Sequence, residues 1–394
     1  MNIVQKIKSI FFEKAVPLPV GLYQLTTPAD SEIPYRLHLR IEPGGAGVLI
    51  INASTVLHLN LTATEFAYHL VKQTPREEAL QSIVARFNIS YMQAKEDFMG
   101  FVNRINTMIN EEDLDPVTYL DFQLEKPFQG IPVAPYRMDC AITYKLYGDL
   151  ENKLSPVERV KRELSTEEWK TVLTKAWNAG IPHVIFTGGE ATLRPDLPEL
   201  LQISEDLGQV TGLITDGLRL SENEYLDRLL NAGLDHLLIT LDTANEQSWE
   251  ALKDVIQQDI HTTVHLTLNE RTIEDTNPIL IRLKEMQVTH LSLTTSNKTL
   301  SEAFQKVRDT AANMGFNLVW NLPVPYSHYN PVEMETENGV SNPEGAAKGW
   351  IYLEPDADVL PEQGVNVVLG NLFEDTWEQV WAKATDYLNT KHES

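Results

Sequence analysis

The sequence predicts an α/β fold: a parallel sheet rolled into a partial (βα)6 TIM-like barrel, preceded by a small α+β domain and followed by a hairpin-and-helix extension. Three observations predict it. From Met138 to Met314 short β-branched and apolar runs alternate with segments of helical period, the pattern of βα units and a parallel sheet. GIPHVIFTGG, GLDHLLITLD and QVTHLSLTTS recur as a faint repeat of two βα units, which favours the rolled form over an open sheet. Outside this region the pattern changes, to a hairpin with three capped helices before residue 110 and to a second hairpin after residue 349.

Composition bounds the function. At 394 residues, 42% hydrophobic and 22% charged, the chain is globular and large enough for two or three domains. A formal net charge of -24 leaves no basic excess, which argues against nucleic acid or an anionic membrane as a partner. In residues 1–21 Glu13 and Lys14 interrupt the apolar run, so this stretch reads as a short amphipathic segment and not a signal peptide. No run approaches the length of a membrane span, and the expected location is the cytoplasm. Cys140 is the single cysteine, which excludes an internal disulfide and an all-cysteine metal site built from this chain alone.

In chain order, residues 22–110 read as a winged-helix-like domain. Tyr35–Ile41 alternates as a half-buried strand, Gly47–Ile51 and Val56–Leu59 form a hairpin, and three capping boxes open helices: Thr62 with Glu65, Thr74 with Glu77, and Ser90 with Gln93. The first strand should leave an edge to which an extended peptide could add. Phe98, Phe101, Val102 and Ile105 share a helix face and are candidate walls of a peptide groove; alternatively they pack the domain's own core. Residues 111–135 form an acidic linker, 136–330 the barrel and 331–394 the extension. The barrel strands are expected at Met138–Tyr144, His183–Thr187, Val210–Thr215, His236–Leu241, Thr262–Leu268 and His290–Thr295. In the extension a helix should open at Asp375, with Trp377 and Trp381 as core anchors.

Ligands of βα folds bind at the carboxyl ends of strands. There the sequence offers Gly188, Gly189 and Glu190, then Thr215 and Asp216, then Thr240 and Asp242. Two adjacent glycines allow a backbone to approach a ligand closely. His183, His236 and His290 each begin a strand, at the opposite end, and read as satisfied structural residues; His265 lies mid-strand and could face inward.

TGGEATLRPDL, ITDGLRL, ITLDTANEQSWEAL and LGNLFEDTWEQVW together resemble the radical S-adenosylmethionine (SAM) superfamily, in the peptide-modifying branch with a SPASM/twitch extension. Residues 22–110 look like the PqqD-type domain that recognises precursor peptides. The resemblance implies that Gly188, Gly189 and Glu190 hold the amino group of SAM, that Thr215, Asp216, Thr240 and Asp242 belong to the same pocket, and that Asp216 lies near the ribose. One departure governs the rest. The family's CxxxCxxC is replaced by Leu146, Leu150 and Lys153, Cys140 lies upstream, and Glu362 stands where the extension would carry a cysteine. No [4Fe–4S] cluster, no metal and no catalytic residue of the radical type are therefore expected. The reading is a pseudoenzyme that presents a precursor peptide to a competent maturation enzyme. An alternative is an enzyme of another class that binds SAM or another small molecule at the barrel mouth, with Glu190, Asp216, Asp242 and Glu362 clustered for a cation or for acid–base chemistry. Active radical chemistry survives only if a partner chain contributes ligands.

Overall fold

The computed structural model describes residues 18–28, 31, 33, 35–52, 55–110, 132–148, 154–222, 224–270, 272–295, 298–333 and 345–392. Leu150 and Lys153, most of the expected linker and most of segment 1–21 lie outside these residues. Two compact units divide between Val133 and Ala134.

The first unit is built on an antiparallel sheet, β1 Gly21–Thr26, β2 Arg36–Ile41, β3 Gly47–Ile51 and β4 Thr55–Leu59, in that spatial order. Alternation drives it: Leu37, Leu39, Leu49, Leu57 and Leu59 turn one way and are buried. Helices α1 Leu61–Val71, α2 Arg76–Phe87 and α3 Tyr91–Asn110 complete the core, where Phe66 meets Phe98 and Phe101 edge-on at 5.8 Å each. β1 was not legible as a strand, and it pairs along β2 from Gly21↔Ile41 to Thr26↔Arg36. The outer side of Tyr35–Ile41 is thus occupied by β1, and the sheet's outer strands are β1 and β4. Phe98, Phe101 and Ile105 are buried in the core, with Val102 packed at its border, so these residues fill the unit's own interior and offer no groove wall.

Two of the three expected caps are also corrected. Asn60, not Thr62, caps α1 by accepting from Ala63 N at 2.9 Å. Glu65 is buried instead, with Arg86 at 2.6 Å and His69 at 3.2 Å. Helix α2 begins after Pro75 without a side-chain cap, while Ser90 does cap α3, accepting from Gln93 N at 3.2 Å.

The second unit is α/β. Its strands are β5 Arg137–Thr143, β6 His183–Gly188, β7 Val210–Thr215, β8 His236–Thr240, β9 His261–Leu268, β10 His290–Thr295, β11 Asn317–Val319, β12 Trp350–Leu353, β13 Asp358–Leu360 and β14 Gly370–Asn371. The order is β11-β10-β9-β8-β7-β6-β5-β12-β13-β14, parallel from β11 to β12. Helices α4 Thr166–Asn178, α5 Leu197–Leu207, α6 Tyr225–Asn231, α7 Glu246–Val255, α8 Thr276–Glu285 and α9 Ser301–Asn313 alternate with the strands. Their apolar faces bury Val184, Phe186, Leu213, Leu237 and Ile239 with Trp169, Leu200 and Leu252. The opposite face of the sheet carries Ile185, Ile214 and Leu238, which pack together inside the curve. This is the partial barrel the βα alternation predicts, extended by β11 on one side and by the C-terminal hairpin on the other.

The extension therefore joins the barrel's own sheet: β12 pairs in parallel with β5, from Trp350↔Arg137 to Leu353↔Cys140. Its helix α10 Trp377–His392 is opened by Thr376 and not by Asp375. Thr376 Oγ1 accepts from Gln379 N at 3.4 Å and Thr376 N donates to Gln379 Oε1 at 2.9 Å, while Asp375 accepts from Asn371 N at 3.0 Å. Trp377 and Trp381 stack at 5.2 Å against the main core.

The core assignment of helix α3 has a measurable consequence. Truncating Phe101, which is 1% exposed, should lower the unfolding free energy of the first unit by about 3–5 kcal/mol. Val102→Ala should cost much less, and urea denaturation of the two variants compares them.

Candidate functional site

The site grows from the turn after β6. Gly188 has φ +134°, and a Cβ there would run into the carbonyl oxygen of Thr143, so only glycine allows strand β6 to lie this close to β5. Gly189 N then donates to Thr143 O, and Glu190 N to Lys145 O, both at 2.9 Å. This directs the Glu190 side chain inward, where it is 3% exposed. One carboxylate oxygen accepts from Thr192 N (2.9 Å), Thr192 Oγ1 (2.5 Å) and Thr215 Oγ1 (2.7 Å); the other accepts from Asp216 N at 2.8 Å. A hydrogen bond to a charged group is worth roughly 1.5–3 kcal/mol, so Glu190 clasps the ends of β6 and β7. The residue expected to hold a ligand's amino group is instead committed to the protein.

Asp216 sits against this clasp. Its Oδ1 accepts from Leu218 N at 2.9 Å. Burial, and then the charge and hydrogen bond of Glu190, push its carboxyl up to about 8. Near neutrality Asp216 keeps its proton and can share it with Glu190. Tyr147, from the loop after β5, stands beside the pair, its phenol hydrogen-bonded to Thr192 and pushed up by burial and by the charges of Asp216 and Glu190.

Beyond Asp216 the ends of β7, β8 and β9 enclose a cleft of about 180 Å³, lined by Asp216, Thr240, Asp242, His265, Thr267 and Tyr329 among others. That is smaller than the roughly 300–1,000 Å³ usual for small-molecule sites. Thr240 Oγ1 donates to Thr215 O at 3.3 Å. Asp242 accepts from Ala244 N and from the Tyr329 hydroxyl, each at 3.0 Å. His265 faces inward and is 2% exposed. Its Nδ1 lies 3.0 Å from Ser292 Oγ, and its Nε2 lies 3.1 Å from both Thr267 Oγ1 and Thr294 Oγ1; burial lowers its pKa to about 4, so the ring is neutral.

The structure thus joins Asp216, Thr240 and Asp242 around one cleft, with Gly188, Gly189, Glu190 and Thr215 as the frame behind it. Glu362 does not join them. It follows β13 and is not among the residues that line the cleft, and among the described residues the acids whose ligand atoms lie within 4.8 Å of one another are Glu354, Asp356 and Asp358. Sequence reasoning missed Thr192 and Tyr329. Thr192 has a local signal, two residues after a carboxylate at a turn; Tyr329 has none, because it reaches Asp242 across 87 positions of sequence.

The loop after β5, where the resemblance implies a cluster, offers a different chemistry. Leu146 is an alkyl side chain, and exposed Lys145 pairs with Glu163 at 3.4 Å. Cys140 is fully buried among the core residues outside the sheet, and burial pushes its thiol well above the usual range. Tyr144 and Tyr326 meet edge-on at 5.3 Å, and Glu354 holds Tyr144 at 3.0 Å and Arg159 at 2.9 Å. Among the described residues, the group of three whose possible ligand atoms lie within 4.8 Å of one another is Glu354, Asp356 and Asp358, all oxygen donors. These residues do not fit an iron–sulfur cluster, which is held by thiolates.

Comparison with known proteins agrees with this fold. Residues 140–262 match the Radical SAM superfamily. The chain is 41% identical over 90 residues to a PqqA peptide cyclase of Rhizobium meliloti (strain 1021), and 43% identical over 94 residues to one of Bradyrhizobium diazoefficiens. Each match takes in 23% of this chain and 24% of the relative, so the likeness spans about a quarter of those proteins. The crystal structure of Streptococcus suis SuiB bound to precursor peptide SuiA superposes with a TM-score of 0.56 at 15% identity, over 91% of this chain and 88% of that one. SuiB bound to S-adenosylmethionine gives a TM-score of 0.55 at 16% identity, over 89% and 87%. The fold is thus similar to that of SuiB, and the match to the Radical SAM superfamily is confined to residues 140–262. No helix among the described residues is long and apolar enough to cross a membrane.

The Glu190–Asp216 pair predicts a pH dependence. Because the folded-state pKa of Asp216 is raised, the stability it contributes is complete below its ordinary value of 3.8 and is lost as pH rises through about 8. The stability of the wild type to urea should fall as pH rises from the ordinary carboxyl value toward about 8 and level off above it. In Asp216→Asn most of that decline should vanish.

Proposed function

We propose that the chain is a radical-SAM-fold protein of peptide maturation that binds a precursor peptide and does not itself cleave SAM. One observation carries the second half of this reading: Leu146 stands where the first cluster thiolate would be, and the single cysteine is buried on the far side of β5. Reductive cleavage of SAM needs an electron from a cluster, which the protein's remaining side chains do not supply. The peptide half is supported by the PqqA peptide cyclases and by the likeness to SuiB in complex with SuiA. The first unit, of the size and position of a PqqD-like recognition domain, is the part we assign to the peptide. The outer edges of β1 and β4, unpaired in the sheet of the described residues, are the places where an extended segment could add a strand. Phe98, Phe101 and Ile105 act there as support for the sheet. A competent maturation enzyme is the proposed recipient of the bound peptide.

A second reading is favoured by the cleft. Asp216, Thr240 and Asp242 still converge on one space at the strand ends, which suits a small polar ligand such as SAM or a relative of it. Without an iron to hold the methionyl group, and with Glu190 occupied, binding of SAM should be weak.

Two measurements test these readings. Protein reconstituted anaerobically with iron and sulfide should retain no [4Fe–4S] cluster by metal analysis and visible absorption; close to four irons per chain would refute the assignment. In calorimetry SAM should bind more weakly than about 100 μM, on the expectation that lost coordination costs several kcal/mol. Micromolar binding abolished by Asp242→Asn would favour the cleft as the working site.

A further inference from the structure

The barrel's other end holds an arrangement that the strand-end chemistry does not use. His183, His236, His261 and His290 are the first residues of β6, β8, β9 and β10. They lie on the inner face, in phase with Ile185 and Leu238, and form one row across the floor of the curved sheet. Register makes the row. His236 pairs directly with His261 across β8 and β9, and the rings of His261 and His290 lie 4.3 Å apart. Between β6 and β8 runs β7, where Gly212 stands opposite His236 and two residues past Val210, the partner of His183; a Cβ on Gly212 would strike the His236 ring. The missing side chain lets His183 and His236 meet over the intervening strand, Nε2 to Nε2 at 2.7 Å and rings edge-on at 4.8 Å. The row is open to solvent, with His261 exposed and the other three half-buried.

We propose that the His183–His236 pair is a binding site for a late first-row divalent metal ion, Cu2+ or Ni2+. Imidazole is a preferred ligand of these ions. Metal–nitrogen bonds of about 2.0–2.1 Å to two nitrogens 2.7 Å apart subtend about 80–85° at the metal. That is near the right angle of tetragonal or octahedral coordination and well short of the tetrahedral angle, which disfavours Zn2+. Binding replaces the hydrogen that one Nε2 shares with the other. In the ring that carried it, that hydrogen moves by way of solvent to Nδ1, so both rings stay neutral and present lone pairs at Nε2, and each turns so that the lone pairs converge. Waters fill the remaining positions, with His261 the nearest further imidazole along the row. A bound ion would tie β6 to β8 across β7 and brace the floor of the barrel. The site is independent of the strand-end cleft and of the peptide reading.

The test is titration of the metal-free full-length protein with Cu2+ or Ni2+. Calorimetry should give one tight site per chain, weakened at least tenfold by His183→Asn and by His236→Asn and little changed by His58→Asn in the first unit. Mg2+ should not compete. Pulsed electron paramagnetic resonance of the wild-type Cu2+ complex should show two equivalent imidazole nitrogens, a readout that does not depend on the variants folding. The melting temperature of the wild type should rise with Ni2+. A spectrum with one imidazole or none, or equal affinity in the properly folded His183→Asn and His236→Asn proteins, would overturn the assignment.

Discussion

A buried carboxylate that meets four donors organises the second unit. Glu190 takes Thr192 through both backbone and hydroxyl, Thr215 through its hydroxyl and Asp216 through its backbone nitrogen. An ion this deeply buried is costly unless its hydrogen-bonding capacity is filled, and the filling comes from two different strand ends. The turn Gly188-Gly189 presses β6 against β5, the clasp then fixes β7 to β6, and Thr240 ties β8 to β7 through Thr215 O. Burial, and then the charge of Glu190 in this clasp, keep the Asp216 carboxyl protonated. The cleft beyond is consequently lined by an uncharged Asp216, a neutral His265 and an Asp242 already held by Tyr329.

This arrangement separates scaffold from chemistry. The ends of β7 and β8 line a cleft, while Glu190 at the end of β6 faces inward to the protein. On the β5 side, Tyr144, Tyr326, Arg159 and Glu354 tie together the strand, the segment after it, the last crossover and the C-terminal hairpin. Those bonds are intramolecular and need no cofactor. Such a fold can carry different chemistries because its stability resides in packed strands and helices, while function resides in a few side chains grafted onto them.

The fold was legible wherever one residue's partners are close in sequence. The six barrel strands follow from periodicity and lie within a residue or two of their expected limits. β1, β11 and β14 were not legible, because strands this short or this mixed acquire their identity from the neighbour they pair with. Caps failed at Thr62 and Thr74, where a neighbouring Asn60 or Pro75 took the helix start, and at Asp375, where the adjacent Thr376 with Gln379 did so.

By itself the sequence determined the α/β alternation, the glycine-rich strand end, the presence of Glu190, Asp216, Thr240 and Asp242 at successive strand ends, and the lack of thiols for a cluster. These are properties of composition, period and spacing, which local chemistry dictates. Tertiary structure alone decided that Glu190 is sealed, that Glu362 is not in the cleft lining, that Phe98 and Phe101 are core, and that the strand-entry histidines meet one another. Each depends on which strand lies beside which and in what register, and on a small residue such as Gly212 leaving room. A one-residue slip in register would separate the same side chains to opposite faces of the sheet, and no local pattern in the chain records which pairing wins.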